Sequence, residues 1–342
     1  MLISLTRPTL RRKDYNSVLN CLVTDQIAPG PLNHEFSAAL SKAIGVSGAV
    51  ALISYRSSIH CAFELLELQE GDGVLISALA PRVYRQVIES RGLVAAVTDV
   101  DAERPLLSID SVKQKLGAGV KAIVLHYTLG SLPAGEELFE LGVPVIEDIT
   151  QVVGAGWGDQ PCGSRGRVAV LSLDPGGLLT TGCGGALLCR DRRSVRILKE
   201  ITSTGYSEEL LPDMNAALGI SQVRELPRFL QRRAEIGQIF REALMRSRHT
   251  PLLAEGECVD FGFPILVKDS RPEIRRYAEK RGVETEAAFK DAVVAVEGST
   301  FTVASAFPNA EQLLWRCLLF PLYPSLARKD VQLLGRVLST LP

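Results

Sequence analysis

Three side chains able to take part in acid–base or hydrogen-bond chemistry stand at or near the ends of short apolar runs. Asp148, His126 and Ser172 each belong to a run that predicts a buried strand. Open α/β sheets bind their ligands beyond the carboxyl ends of their strands, so these residues mark a candidate site. Each also has an ordinary structural alternative. A carboxylate can cap the next helix, and a strand-end histidine or serine is commonly satisfied within the protein.

The same part of the chain offers few nucleophiles. No lysine lies between Lys121 and Lys199, so this part of the chain offers no side-chain amine as a nucleophile. Cys183 stands in a glycine-rich turn that could expose a thiol, but no histidine is near it in the sequence, and a small buried thiol is the commoner outcome. The seven cysteines are scattered without metal-ligand spacing, which indicates reduced thiols rather than a disulfide framework or a zinc site.

Composition limits the class of protein. The chain has 342 residues, 46% of them hydrophobic and 23% charged, which is enough for one large and one small domain. A net charge of −1 does not suggest nucleic acid or an acidic membrane as a partner. The N-terminal residues do not resemble a signal peptide, and no apolar run is long enough to cross a bilayer. We therefore expect a soluble, cytoplasmic protein.

Alternating strand and helix patterns must position the candidate residues. Apolar runs that predict strands cover residues 49–53, 74–76, 93–97, 122–125, 143–146, 168–173 and 185–188. Helical spacing or turns separate most of these runs. This alternation predicts an α/β fold with a mainly parallel sheet sandwiched by helices on both faces.

The pattern changes after about Arg190. A long arginine-rich helix is predicted from about Asp213 to Met245, broken at Pro227. A strand over Phe261–Val267 and further helices follow. We expect a large α/β domain over residues 1–215, and then, over residues 216–342, the long helix with a smaller C-terminal α+β domain.

Several motifs in order along the chain, from Thr24 to the end, resemble the DegT/DnrJ/EryC1/StrS family of sugar aminotransferases. They are Thr24–Pro31, Val143–Gln151, Ser172–Gly185, Asn215–Gly219 and Phe320–Ser325. The resemblance implies the fold of type I pyridoxal-phosphate (PLP) enzymes, PLP or its amine form PMP as cofactor, a nucleotide-linked sugar as substrate, and a dimer.

The resemblance also implies roles for individual residues. Asp148 would pair with the pyridine nitrogen of PLP and keep it protonated as an electron sink. Gln151 and His126 match positions near the cofactor, and Ser172 matches the serine that reaches its phosphate. The family's Schiff-base lysine, three residues before the Thr-Thr-Gly motif, corresponds to Gly177, which has no side chain to act as a base.

Other cofactor positions have changed as well. The family's Ser-Gly-Thr turn, which holds the phosphate at a helix N-terminus, reads Ser54-Tyr55-Arg56-Ser57. Neither Leu79 nor Pro81 can stack on a pyridine ring. Glu208 places an acid where the family's cross-dimer phosphate donor lies.

Three interpretations stay open. The first is a non-catalytic dimeric homologue, paired with a second copy or with an active paralogue. The second is a lysine-independent enzyme that holds PLP or PMP noncovalently on Asp148, Gln151 and Ser172, with His126 moving protons, and acts on a nucleotide-linked sugar. The third is a repurposed module that binds another small anion, a phosphate or carboxylate, through Arg56. Its structural alternative is that Arg56 fills the vacated pocket and pairs with Asp148 or Glu208.

Overall fold

The apolar runs form the strands of a large and a small sheet. In this computed structural model the described residues are 2–117, 119–133, 135–256, 258–268, 270–295 and 306–342. The strands are β1 (Gly48–Leu52), β2 (Gly73–Ser77), β3 (Val94–Thr98), β4 (Val120–His126), β5 (Val145–Asp148), β6 (Gly156–Trp157), β7 (Gln160–Pro161), β8 (Val168–Ser172), β9 (Gly185–Cys189), β10 (Thr250–Pro251), β11 (Phe263–Leu266), β12 (Glu286–Ala287) and β13 (Cys317–Phe320).

Helices follow most strands of the large sheet. They are α1 (Arg12–Val23), α2 (Pro31–Ile44), α3 (Tyr55–Leu65), α4 (Arg82–Ser90), α5 (Ile109–Lys115), α6 (Arg192–Thr204), α7 (Asp213–Leu244), α8 (Arg271–Glu279), α9 (Pro308–Arg316) and α10 (Arg328–Ser339). Short 3₁₀ turns cover Thr128–Gly130, Glu137–Glu140 and Ser207–Glu209.

The large sheet has seven strands in the order β1-β9-β8-β5-β4-β2-β3. Strand β9 runs antiparallel to both of its neighbours, and the remaining neighbours are parallel. One face packs on α3, α4 and α6 through residues such as Phe63 and Tyr84. The other packs on α2, α5 and α7 through residues such as Phe36 and Ile220. The predicted sheet sandwiched by helices is confirmed, since strands buried on both faces require two helical layers.

The C-terminal part forms a second, smaller core. A four-stranded antiparallel sheet in the order β10-β11-β13-β12 packs against α8, α10 and the C-terminal half of α7. Helix α7 joins the two parts, because Leu226 lies in the core of the large sheet while Ile236 and Phe240 lie in the small one. The domain boundary after residue 215 stays a prediction.

Pro227 does not break α7, so the predicted interruption is wrong. The helix is continuous over its 32 residues with Pro227 inside. A proline in a helix interior costs about 3 kcal/mol because it removes one backbone hydrogen bond. Here the two halves of the helix are buried in two separate cores, and that packing outweighs the local cost. Neither α7 nor any other helix in the described part of the chain is long and apolar enough to cross a membrane.

Candidate functional site

The parallel strands β4, β5 and β8 bring the candidate residues to one edge of the sheet. His126 is the register partner of Asp148, and Asp148 is that of Val170, two residues before Ser172. The side chains of His126 and Asp148 are almost completely buried. Neighbouring strands that end together therefore place these polar groups side by side, as the sequence predicts.

The carboxylate of Asp148 accepts four hydrogen bonds. Its Oδ2 atom accepts from the hydroxyl of Tyr84 at 2.9 Å and from the hydroxyl of Tyr55. Its Oδ1 atom accepts from the backbone N–H of Thr150 at 3.1 Å and from the hydroxyl of Thr150 at 2.6 Å. A carboxylate offers about four lone-pair positions. The acceptor capacity of this fully buried group is therefore filled by the protein itself.

Tyr55 reaches Asp148 because it is the first residue of α3. Ser54 caps this helix, and its side chain accepts from the backbone N–H of Ser57 at 3.0 Å. Gly185 of the adjacent β9 permits the close approach, since a Cβ atom there would lie 2.7 Å from the Cα atom of Tyr55. The Ser54–Ser57 turn, where the resemblance would place the cofactor phosphate, thus sends an aromatic side chain to the carboxylate.

Tyr84 completes this arrangement from α4. Its ring packs edge-to-face on the ring of Tyr55, with centroids 6.0 Å apart and planes at 89°. Burial, and then the negative charge of Asp148, raise the pKa of both phenols well above the usual range. Both hydroxyls therefore stay protonated and act as hydrogen-bond donors to Asp148.

His126 does not share a hydrogen bond with this carboxylate. Its Nε2 atom lies 3.8 Å from Oδ2 of Asp148, beyond hydrogen-bond distance. Its Nδ1 atom is 2.8 Å from the hydroxyl oxygen of Thr128. Burial lowers the pKa of His126, and the charge of Asp148 only partly opposes this effect. The ring is accordingly neutral at pH 7.

Ser172 and Gln151 also find partners within the protein. The hydroxyl of Ser172 donates to Oδ2 of Asp174 at 2.8 Å. The side-chain oxygen of Gln151 accepts from the backbone N–H of Leu129, whose φ of +56° is in the left-handed region. Gln151 therefore stabilises a strained turn after β4.

Arg56 points away from the site, so the expectation that it fills the pocket and pairs with Asp148 or Glu208 is wrong. Its side chain is exposed and donates to Oε1 of Gln86 on α4 at 2.6 Å. Consecutive helical residues are turned by about 100°, so Tyr55 faces inward and Arg56 faces solvent. The side chain that reaches the carboxylate is Tyr55.

Gly177 lies in a turn that does not accommodate a side chain without adjustment. Its backbone N–H donates to the carbonyl of Asp174 at 3.0 Å. A Cβ atom on Gly177 would lie 2.8 Å from the carbonyl oxygen of Leu179, which is backbone and cannot rotate away. The turn therefore lacks both the lysine and a backbone conformation with room for a side chain.

Cys183 is exposed, which contradicts the expected buried thiol. It stands between Gly182 and Gly184, whose positive φ values of 87° and 124° favour glycine. The side-chain amide of Asn215 lies 3.7 Å from its sulfur. Among the described residues, no group of three or more histidine, cysteine or acidic side chains could hold a metal ion.

Sequence reasoning missed Tyr84 and Thr150. Tyr84 follows the apolar spacing of α4 and is indistinguishable from an ordinary core aromatic until the fold places it beside Asp148. Thr150 carries a recognisable signal, because an aspartate followed two residues later by threonine favours a local turn closed by the aspartate side chain.

Fold and site together define an α/β protein of fold type I. Its cofactor site, at the ends of β4, β5 and β8, is altered. The chain belongs to the DegT/DnrJ/EryC1/StrS aminotransferase family, whose family model matches residues 8–339. This is a family of PLP-dependent sugar aminotransferases and dehydratases.

Individual relatives are distant in sequence and close in fold. A dTDP-4-dehydro-2,3,6-trideoxy-D-glucose 4-aminotransferase of Saccharopolyspora spinosa is 25% identical, over 97% of this chain and 94% of that protein. The aminotransferase TlmJ of Streptoalloteichus hindustanus is 26% identical with a TM-score of 0.87, over 99% and 98% of the two chains. The GDP-4-keto-6-deoxy-D-mannose-3-dehydratase of E. coli with bound hydrated PLP is 20% identical with a TM-score of 0.87, over 99% and 100%.

The residues of this chain do not fit PLP as the family resemblance would place it. Gly177 offers no amine. Every acceptor position of Asp148 is taken, so none is left for a pyridine N–H. Tyr55 stands where the phosphate turn would need glycine.

Proposed function

We propose that this protein is a non-catalytic dimeric homologue of the sugar aminotransferases that has lost Schiff-base transamination. The observation that carries the proposal is Gly177 at the lysine position, in a turn whose backbone crowds any Cβ atom. A transaminase needs an amine both to hold the cofactor and to move the substrate proton. Glycine supplies neither function.

Of the candidate site residues, neither His126 nor Ser172 is a strong replacement for that base. His126 is buried, burial lowers the pKa of its imidazole, and its Nδ1 atom is engaged with Thr128. Ser172 donates to Asp174, and a serine hydroxyl is not basic at neutral pH. These contacts support loss of proton transfer rather than a change of the base.

The retained fold supports a role as a subunit. Tyr15, Leu19 and Leu22 follow helical spacing on α1 and are 54%, 54% and 50% exposed. A run of apolar side chains on one exposed helix face is what a subunit contact would cover. The partner is a second copy of this chain or a paralogue that has kept its lysine.

The first experiment tests the chemistry. Purified protein is incubated with PLP, reduced with borohydride and analysed by mass spectrometry, and it is assayed with glutamate and a dTDP-4-keto sugar. We expect no lysyl-PLP adduct at an active-site position and no amino transfer, whereas a lysine-containing relative gives both. A specific adduct or measurable turnover would refute the proposal. A saturable absorbance change without an adduct would favour the lysine-independent enzyme.

The second experiment tests the subunit role. Light scattering after size exclusion gives the mass of the protein alone and of its mixture with a lysine-containing paralogue from the same genome. We expect a dimer, and in the mixed dimer a changed kcat/KM of the paralogue. A monomer at all concentrations, with no effect on the paralogue, would contradict this part of the proposal.

A further inference from the structure

We propose that the side chain of Tyr55 fills the space beside the Asp148 carboxylate, and that truncating it creates a site for a small aromatic ring bearing a hydrogen-bond donor. The inference rests on the proposed function, because a protein that has lost transamination no longer needs open space beside Asp148. It adds that Tyr55 fills this space, and it names the kind of ligand that could replace the Tyr55 side chain.

The hydrogen bonds of Asp148 give the first argument. A buried carboxylate needs donors on all sides, because leaving an acceptor unpaired away from water destabilises the fold. Thr150 satisfies Oδ1, and Tyr84 satisfies part of Oδ2. The remaining position on Oδ2 is taken by the hydroxyl of Tyr55. Of the two phenols, Tyr84 is fully buried and Tyr55 is only half-buried, so Tyr55 takes the position that a ligand entering from solvent would take.

The rings give the second argument. Tyr55 packs edge-to-face against the fully buried Tyr84, so an aromatic surface as well as a carboxylate lines the space that Tyr55 fills. Removing the phenol of Tyr55 leaves a cavity with an aromatic wall and a strong acceptor at its end. A phenol or a pyridine-type ring with an N–H or O–H donor matches both features.

Access gives the third argument. Tyr55 as a whole is only half-buried, although its hydroxyl end meets the buried carboxylate. The cavity left by its removal would therefore open to solvent. Tyr55 is also the first residue of α3 behind the Ser54 cap, where a small residue is tolerated.

The test compares Tyr55→Ala with wild type, using phenol and pyridoxamine as probes that need no phosphate site. Thermal melting is followed against probe concentration. We expect Tyr55→Ala to melt at a lower temperature than wild type and to recover part of the loss saturably with each probe. Wild type and Tyr55→Phe should respond to neither probe, because their ring still fills the space. Trp315→Ala, which truncates an exposed aromatic side chain, controls for nonspecific binding.

Three results would overturn the proposal. One is a wild-type response to pyridoxamine as strong as that of Tyr55→Ala. Another is a folded Tyr55→Ala variant that responds to neither probe. The third is a Tyr55→Phe variant with the melting temperature of wild type, since the hydroxyl would then contribute nothing.

A second measurement applies if Tyr55→Ala does not fold. Tyr55→Phe is then made alone and together with Asp148→Asn. We expect the loss of melting temperature caused by Tyr55→Phe to be clearly smaller in the Asp148→Asn background, because the two groups act through one contact. Additive losses would overturn the proposal.

The two proposals fail in different ways. A lysyl adduct or amino transfer by wild type refutes the loss of Schiff-base chemistry, whatever Tyr55 does. A noncovalent wild-type response to pyridoxamine without an adduct refutes the role of Tyr55 and leaves the loss of Schiff-base chemistry standing.

Discussion

Two adjacent carboxylates on β5 have opposite surroundings. Glu147 and Asp148 are both completely buried and point to opposite faces of the sheet. Glu147 accepts from the backbone N–H groups of Gly163, Arg165 and Gly166, and from the hydroxyl of Tyr127. Asp148 accepts from the hydroxyls of Tyr55, Tyr84 and Thr150, together with the backbone N–H of Thr150.

The difference separates folding from ligand binding. Backbone N–H groups are supplied by almost any sequence once the loop after β7 has formed, so the surroundings of Glu147 depend on the path of the chain. The surroundings of Asp148 depend on the identity of Tyr55, Tyr84 and Thr150. A carboxylate held by exchangeable side chains can change its role, whereas one held by the backbone stabilises the fold.

The largest expected effect is on the Glu147 side. Glu147→Ala removes the acceptor of four donors at once. Each buried donor left unpaired costs about 1–3 kcal/mol, so we expect a loss of at least about 4 kcal/mol or failure to fold. Urea unfolding measures it, with exposed Glu140→Ala as control. A loss below about 1 kcal/mol in the free energy of unfolding would show that the fold does not depend on the Glu147 carboxylate.

Gly166→Ala tests the same loop through its backbone. A Cβ atom there would lie 2.6 Å from the carbonyl oxygen of Val145 and 3.0 Å from Cγ of Glu147. Because the first of these atoms is backbone, we expect a loss of about 1–3 kcal/mol in the free energy of unfolding. Gly176→Ala, with open space around its Cβ position, should be neutral. Equal effects of the two variants would contradict the predicted crowding.

Tyr84→Phe tests the Asp148 side. It leaves one acceptor position of the buried carboxylate unpaired, so we expect a loss of about 1–2 kcal/mol. Chemical denaturation should show Tyr277→Phe, whose hydroxyl donates to Thr340 at an exposed position, within about 0.5 kcal/mol of wild type. A neutral Tyr84→Phe would show that Asp148 does not need its phenols, and the contrast with Glu147 would be lost.

The smallest expected effect is a pH dependence from His126. Burial lowers its pKa in the folded state, so below about pH 6.5 the unfolded chain binds a proton that the folded protein resists. The contribution of neutral His126 to the free energy of unfolding is complete above the pKa of the unfolded state. It is lost as the pH falls through the pKa of the folded state, with a slope of at most about 1.4 kcal/mol per pH unit. Unfolding curves between pH 7 and pH 5 should show a flatter profile for His126→Gln than for wild type. The exposed His34→Gln should keep the wild-type slope; an unchanged slope in His126→Gln would contradict the assignment.

The sequence determined the strands of the large sheet and the family. Apolar runs mark buried strands because both faces of such strands meet helices. The runs at residues 74–76, 122–125 and 168–173 end within two residues of the ends of β2, β4 and β8. The sequence also shows directly that the lysine is absent. It does not show that α7 continues through Pro227, because that continuity depends on packing against two cores.

Only the tertiary structure decided which side chain fills the space beside the Asp148 carboxylate. Arg56 and Tyr55 are neighbours in sequence, and the rotation between consecutive helical positions sends one to solvent and the other to Asp148. Tyr84 joins them from a helix about thirty positions further along the chain. Local patterns record which side chains are apolar or charged, but the meeting of three elements at one carboxylate is set by their packing, which no short stretch of sequence contains.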